Sequence, residues 1–197
     1  MNPARLALRN ATGPTHERTD AAFSTLDLGV REDYAVFLAS HWLAYSALEP
    51  VFAADLPAEA RPPVMTGLLA EDLAALDLAP PDRARPVFRG DALGAAYVVG
   101  GSHFGKRVLS RRHAASTDPQ VRVAGSYLAS PALSEYWPAL QDAVEKAAPD
   151  GLERLIAGAD AGFALFADCL ALVQTPFQSG ARLERKASIP SRKSSLM

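Results

Sequence analysis

REDYAVFLASHWLAYSALEPVF, residues 31–52, decides the fold class. Tyr34, Phe37, Leu38, His41, Tyr45, Leu48 and Phe52 recur at spacings of three and four, so a helix gathers them into one stripe. A strand would scatter the same residues over both of its faces. Pro50 falls where such a helix should end. The same spacing recurs on either side. PPVMTGLLAEDLAALDL (62–78) reads as a helix entered through proline and closed by APPDRARP. STDPQVRVAGSYLAS offers Thr117 or Asp118 as a cap, with Pro119 in the first turn. SPALSEYWPALQDAVEKAAPD opens on Ser130 as a cap, and Pro138 is expected to break or kink it. DGLERLIAGADAGFALFADCLALVQ (150–174) should begin a further helix at Asp150.

Alternating apolar and polar residues are nearly absent, and AAYVV is the only β-branched patch. The expected fold is all-α, with seven to nine helices in one domain over residues 1–178 and no internal repeat. The rest, SGARLERKASIPSRKSSLM (179–197), is polar and basic and is expected to be a disordered tail.

The totals fit this. A chain of 197 residues that is 49% hydrophobic can build one full core without staples. Its net charge of −2 and pI near 6.1 argue against a dedicated nucleic-acid binder. Cys169 is the single cysteine, so neither an internal disulfide nor a cysteine-based zinc cluster can form. No charged-then-apolar leader opens the sequence, and no uninterrupted apolar run reaches the length of a membrane span. A soluble, cytoplasmic protein without a membrane partner is the expectation.

Two segments do not reduce to core packing. DALGAAYVVGGSHFGKRVLSRRH (91–113) carries Gly94, Gly100, Gly101 and Gly105 within a helical pattern. Each costs about 1 kcal/mol against alanine inside a helix. Close approach of another helix would compensate, as would close approach of a flat ligand or a phosphate-binding break. The phosphate reading is weak, because neither Gly-x-Gly-x-x-Gly nor Gly-x-x-x-x-Gly-Lys-Ser/Thr occurs and no strand precedes. The other segment is LRNATGPTHERTDAAF (8–23). It sets His16 on a short helical stretch, with Arg9 two turns before it and Asp20 one turn after. Gly13-Pro14 should start or kink the helix there. A histidine so placed is a packing residue, a general base or a metal ligand. Haem would use both segments, since it needs an imidazole on one face, bare backbone on the other and cations for its propionates.

At this point the sequence resembles the haem oxygenases. LRNATGPTHERTD followed by FLASHWLAYSALEPVF looks like their N-terminal signature, Leu-Lys/Arg-x-Ala-Thr-x-x-x-His and then Ala-Ser-x-x-x-x-Tyr-x-Ala-Leu-Glu. YVVGGSHFGKRVL looks like the distal helix of the bacterial branch, which includes the enzymes that supply biliverdin to bacteriophytochromes. The two segments lie in the family's order, and the rest of the chain agrees in length and helical character.

The resemblance implies a haem-oxygenase-like helical fold, with haem held between a proximal and a glycine-rich distal helix. It implies that His16 is the proximal iron ligand and that Arg9 and Tyr97 reach haem propionates. Gly101 and Gly105 would lie over the haem as the distal glycines, and Asp20 would accept the other imidazole N–H. The implied activity is O2-dependent opening of haem b to biliverdin, CO and Fe(II). Electrons would come from a ferredoxin or flavodoxin with its reductase, and a bacteriophytochrome is a candidate recipient of biliverdin. Haem is cofactor and substrate at once. Phe163 and Phe166 could wall the pocket, although they match no motif and core packing is an equal reading. His41 is read as a core histidine and His113 as a helix-end cation.

Three positions depart from the family pattern. Gly100 stands where bacterial members carry Glu, Ser102 stands where mammalian-type members carry Asp, and His103-Phe104 replace smaller or aliphatic residues. His103 could be a surface histidine or a sixth iron ligand. The latter would make the protein a non-catalytic haem-binding or haem-sensing module on the same fold. The basic runs KRVLSRR (106–112) and RLERK (182–186) could attract an acidic electron donor or could simply be solvated.

Overall fold

The computed structural model describes residues 3–175, so the expected tail and the end of the domain at 178 lie outside the described residues. Its elements are α1 (Pro3–Phe23), α2 (Arg31–Asp55), a 3₁₀ turn (Ala58–Ala60), α3 (Thr66–Ala75), α4 (Ala92–Gly101), α5 (His103–Ala114), α6 (Pro119–Val123), α7 (Ser126–Ala129) and α8 (Ala132–Gln174). Among the described residues there is no strand, and the all-α expectation holds.

Tertiary contacts moved several helix boundaries away from their local signals. α3 starts at Thr66, not at Pro62, because its orphan N–H groups are satisfied from another helix. Glu49 of α2 accepts from the backbone N–H of Met65 (2.7 Å) and of Thr66 (3.0 Å), and from the Thr66 hydroxyl (2.7 Å). The helix ends early too. Asp77 takes a left-handed φ of 57°, and the Leu78 N–H turns back to the Leu73 carbonyl at 2.9 Å. α6 follows its sequence, with Asp118 as cap to the Gln120 N–H (2.8 Å) and Pro119 in the first turn.

The largest corrections concern α1 and α8. α1 does not start at Gly13-Pro14 but runs through them from Pro3. α8 is 43 residues long and carries Pro138 and Pro149 inside it. Pro138 does not break it, and Asp150 lies in its interior instead of capping a new helix. Pro131 flanks its start, with the Ser130 hydroxyl accepting from the Ala132 N–H at 3.3 Å.

α8 also cannot be straight. A Cβ on Gly94 would strike the Leu155 carbonyl, while one on Gly100 would strike Leu140 and lie 3.2 Å from the Trp137 ring. Gly94 and Gly100 are about 9 Å apart along α4, whereas Trp137 and Leu155 would be about 27 Å apart on a straight helix. α8 therefore wraps around α4. The bend belongs at Pro149, which removes one N–H and crowds the Glu145 carbonyl, with Gly151 close after it.

α8 is the centre of the molecule. α4, α1 and α2 pack on it, and α3 and the short helices close the far side of α2. The core includes Tyr34, Phe37, Leu38, Leu43, Tyr45 and Leu48 of the opening stripe. One helical stretch, Pro119–Gln174, contains an 18-residue window of mean hydropathy 1.7, apolar enough to cross a membrane by length and composition. Of that window 39% is buried against the rest of the protein. α1 and α4 both lie on α8, with few contacts to each other among the described residues.

Candidate functional site

α1 carries one side of the candidate site. Its turns place Arg9, His16 and Asp20 at spacings of seven and four, on neighbouring positions of the helix surface. His16 Nε2 lies 3.2 Å from Asp20 Oδ2, and both side chains are open to solvent, 55% and 70%. With Nε2 engaged by Asp20, Nδ1 carries the free lone pair, and a half-turn of the ring exchanges the two nitrogens. Phe163 of α8 packs under the imidazole with ring centroids 5.0 Å apart. The Thr19 hydroxyl donates to the Phe163 carbonyl (3.4 Å) and so ties that turn of α8 to α1. His16 is therefore an exposed, steadied imidazole and not a core residue.

Tyr97 brings α4 to the same side. Burial pushes its phenol up, while the Arg9 and Arg5 guanidinium groups pull it back down. Two of the expected propionate partners, Arg9 and Tyr97, thus share one neighbourhood. Arg5 is itself held by Glu145 of α8, Nε to Oε1 at 2.7 Å.

The glycines divide. Gly94 and Gly100 serve close helix packing, since each would collide with α8 as alanine. Gly101 faces the Trp137 ring at 3.8 Å, so the indole already covers part of it. Around Gly105 there is open space. On the same side of α5 lie Phe104 and Val108, exposed to 63% and 53%. Gly101, Phe104, Gly105 and Val108 thus form an apolar, glycine-bearing face, against which Trp137 and, at Phe104, the His103 ring pack.

His103 does not belong to that face. Two positions from Gly101 and two from Gly105, it points to the opposite side of α5. Its ring rests on Phe104 (3.9 Å) and Trp137 (5.4 Å), and its Nδ1 hydrogen-bonds to the Gly100 carbonyl at 2.7 Å. Phe166 is core, packed on His41 (5.4 Å) and Tyr45 (5.7 Å), whereas Phe163 packs on His16. His41 donates through Nδ1 to the Phe37 carbonyl (2.9 Å) among Phe23, Phe37 and Tyr127. Because a carbonyl only accepts, that nitrogen carries the proton. His113 is buried and bonded to the Val121 carbonyl at 2.6 Å, so it is a packing residue and not only a helix-end cation.

Sequence reasoning missed three features. The Tyr45 and Tyr127 hydroxyls lie 3.3 Å apart in the core, and Ser102 at the α4–α5 junction acts on both phenols while its hydroxyl donates to the Val99 carbonyl at 2.7 Å. Tyr45 was visible on the α2 stripe, but nothing in SYLAS marked Tyr127 as its partner. Trp137 covers Tyr97, Gly101 and His103 together, and no motif pointed to it. Asp160 Oδ1, one turn before Phe163 on α8, is buried without a hydrogen-bond partner. An orphaned carboxylate oxygen of this kind is costly unless something else approaches it.

Among the described residues no three His, Cys, Asp or Glu side chains gather to hold a bare metal ion. A single imidazole backed by a carboxylate instead suits a metal whose other positions a macrocycle fills. The residues present fit haem on this count: one exposed histidine backed by a carboxylate, an arginine and a tyrosine near each other, and an apolar glycine face. No family model matches the chain, and no curated protein matches it significantly.

Proposed function

We propose that the protein is a haem oxygenase, which binds haem b between α1 and α4–α5 and opens it to biliverdin, CO and Fe(II). The observation that carries this is the His16–Asp20–Phe163 group, an imidazole left open to solvent yet fixed by a carboxylate and an aromatic ring. Haem, when bound, supplies the iron that takes up O2 and the ring that is oxidised. His16 would hold the iron, and Asp20 would keep its imidazole oriented and electron-rich. Arg9 and Tyr97 would hold the propionates and so set how the macrocycle is seated. Gly105, lacking a Cβ, leaves room for a diatomic ligand on the other face. Ser102, Tyr45 and Tyr127 offer hydroxyls through which protons can be passed where other members use a carboxylate. Electrons must come from outside, and a ferredoxin or flavodoxin is the proposed donor. A bacteriophytochrome is a proposed recipient of the product.

The test is a hemin titration followed at the Soret band. The wild-type protein should bind one equivalent, and His16→Ala should shift the band and weaken binding at least tenfold. An unchanged spectrum and affinity in His16→Ala would remove His16 from the site. The second reading, a haem-binding module without turnover, rests on Gly100, His103 and Phe104. It predicts the same titration but a stable ferrous complex in air.

A further inference from the structure

A cavity of about 290 Å³ opens on the side of α5 away from the glycine face. It is lined by His103, Lys106, Arg107, Ser110, Ser130 and Ser134, with Leu128 the one apolar residue and no carboxylate among them. Lys106 is only 6% exposed. Its Nζ donates to the Ser130 carbonyl at 3.1 Å and sits 4.6 Å from the centre of the Tyr127 ring. Neither is a counter-ion, and among the described residues no carboxylate lies within ion-pair distance of Lys106. Asp72 acts on it only at longer range, and burial pushes the ammonium down to about 8. A buried ammonium without a paired anion is unfavourable, and it is relieved when an anion binds beside it.

The other donors agree. Arg107 lies at the cavity with an exposed side chain, free of any hydrogen bond or ion pair. His103 gives its Nδ1–H to the Gly100 carbonyl, so Nε2 is the nitrogen left for a ligand and becomes a donor on protonation. The Ser130 hydroxyl accepts from the Ala132 N–H and keeps its own hydrogen to give. A point-charge ammonium, a planar guanidinium and a hydroxyl around one space suit a tetrahedral oxyanion better than a planar carboxylate.

We propose that this cavity is a phosphate-binding site, taking free phosphate or the phosphate group of a small metabolite. It is separate from the proposed haem site, because His103, Lys106, Arg107 and Ser110 share the α5 face opposite Gly105.

Calorimetric titration of the full chain at 150 mM NaCl tests it, with inorganic phosphate, glycerol phosphate and acetate as ligands. Phosphate should bind at one site per chain and at least fivefold more tightly than acetate. Tighter binding of glycerol phosphate would identify a phosphorylated metabolite as the source, and equal or weaker binding would identify free phosphate. Arg107→Ala, an exposed change that spares the fold, should weaken phosphate at least fivefold, and Lys106→Met should weaken it further. In an NMR titration, phosphate should shift the ring resonances of His103 and leave those of His16 unmoved. His16→Ala should bind phosphate as the wild type does, and Arg107→Ala should bind hemin as the wild type does. Failure of the haem reading would thus leave this site standing, and the converse holds too. Absence of saturable phosphate binding, or binding that ignores both Lys106→Met and Arg107→Ala, would overturn the proposal.

Discussion

Asp72 shows how much a single buried residue can organise. It is fully buried on α3, and its carboxylate accepts from the backbone N–H of Ser126 (2.7 Å) and Tyr127 (2.9 Å) at the start of α7. Burial raises its pKa, and these two N–H groups pull it back. Through them Asp72 sets the position of Tyr127, and so of the Tyr45–Tyr127–Ser102 hydroxyls. Asp72→Ala strands two backbone donors and should cost about 2–3 kcal/mol, read from urea denaturation. A loss below about 0.5 kcal/mol would mean that α7 is held by other contacts. At this same scale the sequence was only partly legible. His16, Asp20 and Arg9 could be found because their spacing lies within one helix. Glu49, Asp72 and Trp137 could not, because each acts on residues far away along the chain.

The glycines of α4–α5 separate packing from function at the level of the element. Gly94 and Gly158 meet where the two backbones touch, since a Cβ on Gly158 would strike the Asp91 carbonyl. Gly94→Ala or Gly158→Ala should therefore cost 3 kcal/mol or more, by roughly the cost of core overpacking. Gly105 has open space around it, so Gly105→Ala should stabilise the apo-protein by about 0.5–1 kcal/mol through helix propensity. On the proposed function, the same substitution should slow hemin turnover at least threefold, because the new methyl group would enter the space proposed for O2. Thermal melts and turnover assays on the same preparations check this pair. A Gly105→Ala protein that is both less stable and fully active would contradict the assignment. The local signals misjudged α8 for a related reason. Pro138, Pro149 and Asp150 look like helix boundaries in isolation, but burial against α1, α2 and α4 keeps the helix assigned from Ala132 to Gln174. Proline there bends the helix around α4 without ending it.

Across the whole molecule, stability should depend on pH through His41. Burial among aromatic rings lowers its pKa from 6.5 to about 4, with Lys106 adding to the effect and the Phe37 carbonyl opposing it. Between those two values the unfolded chain binds more protons than the folded one, so stability rises with pH. It is fully present above about 6.5 and is lost as pH falls toward 4, by roughly 3 kcal/mol in total. The difference between wild type and His41→Leu, followed by urea denaturation from pH 7.5 to 4.5, isolates this contribution. His41→Leu should lose less stability on acidification, and parallel curves would contradict the assignment. The overall architecture was legible because the helical period is strong in α2 and α8 and almost no strand pattern competes. The candidate site was not, since it depends on which residues of α1, α4 and α8 the fold brings together.

The most direct test of the central claim is aerobic turnover of the hemin-loaded protein with ascorbate and catalase, followed by visible spectroscopy. Decay of the Soret band with growth of a broad red biliverdin absorption is the predicted result. A ferrous complex that persists in air, or no Soret shift when hemin is added, would contradict it.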